Sequence, residues 1–117
     1  MASIRDLVGA IRQRDGVEAA VVLGRDGLLI DSQAIPGIDA EDLAARIPAI
    51  IGAADDLGVA ASRGALTTAV LEHRDGIAVV SVLSDDAILL VLVRPHANVG
   101  QLLFELRRNR EHIASLV

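Results

Sequence analysis

The sequence predicts an α/β domain of the α+β kind, with elements in the order helix, two strands, helix, three strands, helix. Three observations predict it. Arg-Asp-Gly recurs at Arg14–Gly16, Arg25–Gly27 and Arg74–Gly76, each time between patterned segments, and Asp-Gly is turn chemistry. Three segments carry apolar residues at helical spacing. The last two strand candidates, Ile77–Leu83 and Ala87–Val93, are almost continuously apolar. An antiparallel sheet with one wet face would alternate, so both faces of this sheet need cover, and the three helices must divide between them.

The elements follow in order. Ile4, Leu7, Val8 and Ile11 place a helix over Ser3–Arg14, with Ser3 as N-cap and Gly16 as terminator. Val17–Gly24 reads as a strand. Gly24-Arg-Asp-Gly27 turns it into a second strand, Leu28–Ser32, and Pro36-Gly37 closes the hairpin. A long helix starts at the N-cap Asp39, with Asp42 at its third position, and runs to Ala61. Gly64–Glu72 is the third strand, Asp75-Gly76 turns it, and Ile77–Leu83 and Ala87–Val93 complete the set. Pro95 blocks further pairing. Asn98 caps a last helix with Val99, Leu102, Leu103, Leu106 and Ile113 on one face and Arg107, Arg108 and Arg110 in its tail. Every tight link joins strands by a hairpin, so the sheet is mainly antiparallel.

Composition bounds the chemistry. The 117 residues fit one domain, 1–117, with no linker or repeat to divide it. There is no cysteine, which excludes disulfides and thiolate metal sites. All 11 basic residues are arginine, so there is no Schiff-base or P-loop lysine. The net charge of −5 and a single aromatic residue, Phe104, argue against nucleic-acid binding and require an aliphatic core. The longest apolar run, Ala87–Val93, is too short to span a bilayer, and Met1–Asp6 lacks a signal-peptide core, so no membrane insertion is expected and the expected location is cytoplasmic.

The histidines, His73, His96 and His112, lack partners at ligand spacing, so no metal is expected. There is no Gly-x-Ser-x-Gly elbow. Asp55-Asp56 reads as a solvated helix face, because adjacent helical residues diverge, and Asp85-Asp86 as a turn. Gly24-Arg-Asp-Gly27 joins strands, whereas a phosphate loop would lead into a helix. No catalytic residue, cofactor or small-molecule substrate is expected.

The middle helix, Asp39–Ala61, has more apolar surface than one sheet needs. Leu43, Ile47, Ile50, Ala54 and Leu57 form a stripe expected to cover the sheet, and Ala40, Ala44 and Ile51 widen it. Beside it run Arg46, Ala49, Ala53 and Asp56, whose small centre lets a second helix approach. Pro48 removes the hydrogen bond to the Ala44 carbonyl and is expected to bend the helix, with Gly52 weakening it one turn later. If the next strand is a sheet edge, its free amides invite another strand. The chain is therefore expected to form a homodimer through Arg46, Ala49, Ile50, Ala53, Ala54 and Leu57 on the helix and Leu66, Thr67, Thr68 and Val70 on the strand.

These residues carry a resemblance. Gly16–Ile30, the helix centred on Ala54, the strands Thr67–Leu71 and Ile77–Leu83, and Ala87–Val93 leading to Val99-Gly100 together resemble the roadblock (dynein light chain 7) family across nearly the whole chain. The resemblance implies a five-stranded antiparallel sheet with one helix on one face and two on the other. It implies dimers joined through the middle helix and the third strand. It also implies a role beside small Ras-like GTPases, as in bacterial Mgl-type regulators, which reshape the GTPase site and insert no arginine finger. Some of those carry a longer C-terminal tail that also touches the GTPase; this sequence reaches Val117 just past its last helix, and no such contact is expected.

Candidate GTPase contacts are Asp42, Arg46, Asp56 and Arg63, with Arg63 read as a surface arginine and not as a finger. The expected function is thus a non-catalytic, homodimeric GTPase regulator or adaptor. The alternatives are a dimerisation scaffold in a motor or signalling complex, or a small-molecule sensor; the aliphatic, self-filling core argues against the last.

Overall fold

The computed structural model describes residues 3–117. Its elements are α1 (Ile4–Arg12), β1 (Val17–Gly24), β2 (Leu29–Ala34), α2 (Ala40–Ala60), β3 (Thr68–His73), β4 (Gly76–Val82), β5 (Ala87–Val93), α3 (Val99–Arg108) and α4 (Arg110–Ser115). The five strands form one sheet in the order β2-β1-β5-β4-β3, and every neighbouring pair is antiparallel.

The caps are those that the sequence requires. Ser3 Oγ accepts from the Asp6 N–H, and the Asp6 carboxylate accepts from the Ser3 N–H, a reciprocal pair that satisfies two orphan donors of α1. Asp39 and Asn98 receive the Asp42 and Gln101 N–H groups at the starts of α2 and α3. Three expectations shift. The third strand begins at Thr68 and not at Gly64, because Arg63 and Gly64 turn their N–H groups back onto the Gly58 carbonyl and close the end of α2. The second strand runs on to Ala34. The last helix breaks at Asn109 into α3 and α4.

The two faces of the sheet are covered separately. On one, Val8 and Ile11 of α1, Leu102 and Leu106 of α3 and Ile113 of α4 pack on Ala20, Val22, Val79, Leu89 and Val91. On the other, α2 alone packs Ala44, Ile47 and Ile51 on Ala19, Val21, Leu23, Val80, Ile88 and Leu90. This is the expected division of one helix against the rest. Along β5, burial is almost unbroken, as a doubly covered central strand requires. The core is aliphatic, and Phe104 lies outside it, 61% exposed.

The backbone of α2 comes nearest β2 and β1, and its buried side chains reach on to β5 and to Val80 of β4. Most of the expected sheet-covering stripe lies in this layer, and its departure is at the C-terminal end, where Leu57 is in the open. The fully buried line of α2 is Ala44, Ile47 and Ile51; Leu43, Ile50 and Ala54 are half-buried, and Leu57 is 69% exposed. The side of the helix bearing Leu43, Ile50, Ala54 and Leu57 faces the uncovered half of the sheet. α2 continues through Pro48 as one helix. The β1–β2 turn sits on this point: a Cβ on Gly27, whose φ is +88°, would stand 3.2 Å from Pro48 Cγ and 3.4 Å from the Ala44 carbonyl that Pro48 leaves without its helical donor. The Arg-Asp-Gly turn is thus a packing feature.

Candidate functional site: the α2–β3 surface

β3 is an edge of the sheet, and α2 stops short of it. Between them lie two hollows along the same side of α2. One, of about 400 Å³, is lined by Leu43, Arg46 and Ile50 of the helix and Leu71, Ala78 and Leu92 of the sheet. The other, of about 410 Å³, lies between Ala54 and Leu57 of α2 and Leu66, Thr67 and Thr68. Leu43 to Leu57 spans about 21 Å along a helix axis, the length of an apolar strip with one wall of helix and one of strand. A wide apolar strip left open on an otherwise covered sheet is the feature that a protein partner removes from water.

The structure gathers most of the expected pairing residues here. Arg46 and Ile50 line the first hollow; Ala54, Leu57, Leu66, Thr67 and Thr68 line the second. Ala49 and Ala53 are exposed on α2 and line neither. Val70, 45% exposed, belongs to the opposite face of the sheet, since it alternates with Ala69, which packs in the α2-side layer, and with Leu71, which lines the first hollow.

The four residues read as GTPase contacts fall into two groups. Asp42 and Arg46 are exposed and bonded to each other, with Arg46 Nε and Nη2 donating to the carboxylate at 3.1 and 3.2 Å. That hydrogen bond, with the charge of Asp42, holds the Arg46 guanidinium above its ordinary pKa. Asp56 and Arg63 are exposed at the far end of the helix. Asp42 and Asp56 are 14 residues apart, about 21 Å along the axis, so one chain does not bring the groups together.

Two residues that sequence reasoning placed in solvent hold this surface in shape. Asp55, read as half of a solvated pair, is half-buried; its Oδ1 accepts the Leu66 N–H at 2.7 Å, and its Oδ2 lies 3.9 Å from Arg25 Nη1. It ties the segment before β3 to α2 and to the β1–β2 turn. The available signal was its position four residues after Ile51, on the buried side of the helix. Arg110, read as part of a basic helix tail, donates through Nη2 to Thr68 Oγ1 at 2.9 Å and to the Thr67 carbonyl at 3.4 Å. No local pattern signals that contact. Its Nε is buried without an acceptor, a loss worth more than about 1 kcal/mol for a charged group.

Gly58 completes the corner. A Cβ there would stand 1.9 Å from the Gly64 carbonyl oxygen, so only glycine lets the chain fold back against α2. Gly52, expected to weaken the helix, has open space around it.

Among the described residues, no group of histidine and carboxylate side chains converges as a metal site, and no helix is long and apolar enough to cross a membrane. Asp85 and Asp86 lie with Arg25 and Asp26 around a shallow hollow between two turns. His96 stands in the left-handed region, φ 66°, next to a shallow hollow that His73 also lines.

Comparison with known proteins completes the description. An uncharacterised protein of Methanocaldococcus jannaschii is 29% identical over 106 residues, 91% of this chain and 92% of its own length. MglB of Myxococcus xanthus superposes with a TM-score of 0.86 at 13% identity, over 97% of this chain and 93% of that one. A Roadblock/LC7 domain from Streptomyces avermitilis gives 0.84 at 21% identity, over 96% and 95%. These superpositions establish a shared fold. The family model for the Roadblock/LC7 domain matches residues 4–93, from α1 to the end of β5, and leaves α3 and α4 outside the match. This chain belongs to the Roadblock/LC7 domain family.

Proposed function

We propose that this chain is a homodimeric, non-catalytic regulator or adaptor of a small Ras-like GTPase, working in the cytoplasm. The open apolar strip between α2 and β3 carries the first half of the reading. A second copy turned about a twofold axis lays its own α2 antiparallel into that strip and its β3 against the free edge. Each copy then covers the half-sheet that the other leaves open, which is the usual closed, self-complementary arrangement. The contact takes Leu57 and Ile50 out of water and gives the β3 edge a partner strand.

The GTPase half rests on family likeness. The MglB fold matches this chain over nearly its whole length, and the roadblock resemblance implies Mgl-type regulators that bind a Ras-like GTPase as dimers. The surface adds one physical support. In an antiparallel α2 pair, Asp42 and Arg46 of one copy lie beside Asp56 and Arg63 of the other, so a divided set of charges becomes one patch on the outer face. Nucleotide chemistry belongs to the GTPase, and this chain supplies a docking surface.

Sedimentation equilibrium, combined with GTP turnover by a Ras-like GTPase from the same genome, tests both halves. A dimer that changes turnover is the expected result. A dimer that binds no such GTPase leaves the scaffold reading, and a monomer at all concentrations sinks the proposal.

A further inference from the structure

The sheet has two edges, β2 and β3, and the chain finishes them differently. On β2, the Ile35 N–H donates to the Glu18 carbonyl at 2.9 Å, so these residues form a hydrogen-bonded pair with β1. Alternation gives the same bonding to Gln33 opposite Ala20 and to Asp31 opposite Val22. Ser32 and Ala34 therefore turn their N–H and C=O groups away from the sheet. An edge of this kind is a template for another strand. Beside it the chain exposes Leu28 at 69% and Ile30 at 46%, apolar area that an added strand would cover.

Two residues spoil the template. Asp31 Oδ1 accepts the Ser32 N–H at 2.8 Å, so the central outward donor is already bound within its own chain. Pro36, next after Ala34 in the same alternation, has no N–H to give. Of the run Ser32, Ala34 and Pro36, only Ala34 keeps a free donor. The carbonyl of an incoming strand that should meet the Ser32 N–H meets the Asp31 carboxylate instead, and oxygen faces oxygen. Lysine is a common guard of natural sheet edges, and this chain has none. The β3 edge lacks any such block. There, the Val82 N–H bonds the Thr67 carbonyl, so alternation turns Thr68, Val70 and Glu72 outward, and among the described residues no side chain accepts from their N–H groups.

We propose that Asp31 closes the β2 edge to strand addition, with Pro36 guarding its end. The strand it keeps out is the β2 of a second copy, which carries the same exposed Leu28 and Ile30 to be covered. A chain open at both edges would add copies in an endless row, whereas a chain open at one edge stops at a closed assembly. The proposal concerns the edge opposite to the one used in the self-pairing reading, and it adds what limits growth of the sheet.

Sedimentation velocity on the full chain tests it. Asp31→Ala together with Pro36→Ala frees both donors and should raise the average mass by about twofold or more over wild type at the same concentration. If that variant does not fold, Asp31→Val, a better strand former, replaces Asp31→Ala in it. Asp31→Asn keeps an oxygen in the same place and should sediment as wild type. The chain has no cysteine, which allows a local readout. In an antiparallel β2 pair centred on Ser32, Ser32→Cys faces its own copy with Cα atoms about 5.5 Å apart. It should oxidise to a covalent dimer in the freed variant and stay unlinked when Asp31 and Pro36 are present. An unchanged mass in the freed variant, a rise with Asp31→Asn, or linking of Ser32→Cys with Asp31 and Pro36 in place overturns the inference. The wild-type mass, of one copy or two, is the baseline, so this outcome is separate from that of the self-pairing reading.

Discussion

The two faces of the sheet are finished to different degrees. On the first face, α1, α3 and α4 together close the hydrophobic layer over the sheet. On the second, one long helix lies nearest β1 and β2, reaches β5 and Val80, and leaves two open hollows on the β3 side. The strands between them are the same strands, and alternate residues of β5 feed both layers. The difference is one of cover, not of sheet. A face covered by helices of the same chain stabilises the monomer. A face left half-open keeps part of its apolar surface in water, and under the proposed self-pairing mutations on it should be read in association and not in folding.

The largest expected effect breaks the closed face. Leu89→Ala removes a fully buried side chain under α1 and α3 and should cost about 3–4 kcal/mol in urea denaturation. Next is Gly58→Ala at the corner of the open face. The new Cβ collides with a backbone oxygen that cannot turn away, so a loss of about 2–3 kcal/mol is expected, with faster amide exchange through residues 62–67. Asp55→Ala removes the acceptor of the half-buried Leu66 N–H and should cost about 1–2 kcal/mol. It should also weaken self-association, since Leu66 lines the second hollow.

The smallest folding effect sharpens the contrast most. Leu57→Ala, at a side chain 69% exposed, should change monomer stability by less than about 0.5 kcal/mol. In the dimer it should raise the dissociation constant about tenfold, read by sedimentation equilibrium. A Leu57→Ala loss in folding comparable to that of Leu89→Ala would show that the two faces do not differ as described.

The sequence by itself determined the element order, the caps at Ser3, Asp39 and Asn98, the aliphatic core and the need for cover on both faces. Those depend on local chemistry: which side chain accepts an N–H three residues on, and which period the apolar residues follow. It also marked α2 as over-apolar, because surplus apolar surface is a property of one helix alone. Only the tertiary structure decided where that surplus faces. The seat of α2 nearest β1 and β2 depends on how a twisted sheet meets its helices, and it turned the buried line to Ala44, Ile47 and Ile51 and left Leu57 in the open. The same holds for Asp55 on the Leu66 amide and for Arg110 on Thr68, 42 residues away. A charged side chain reads as solvated wherever its partner is distant in sequence, because its bond exists only once the chain has folded.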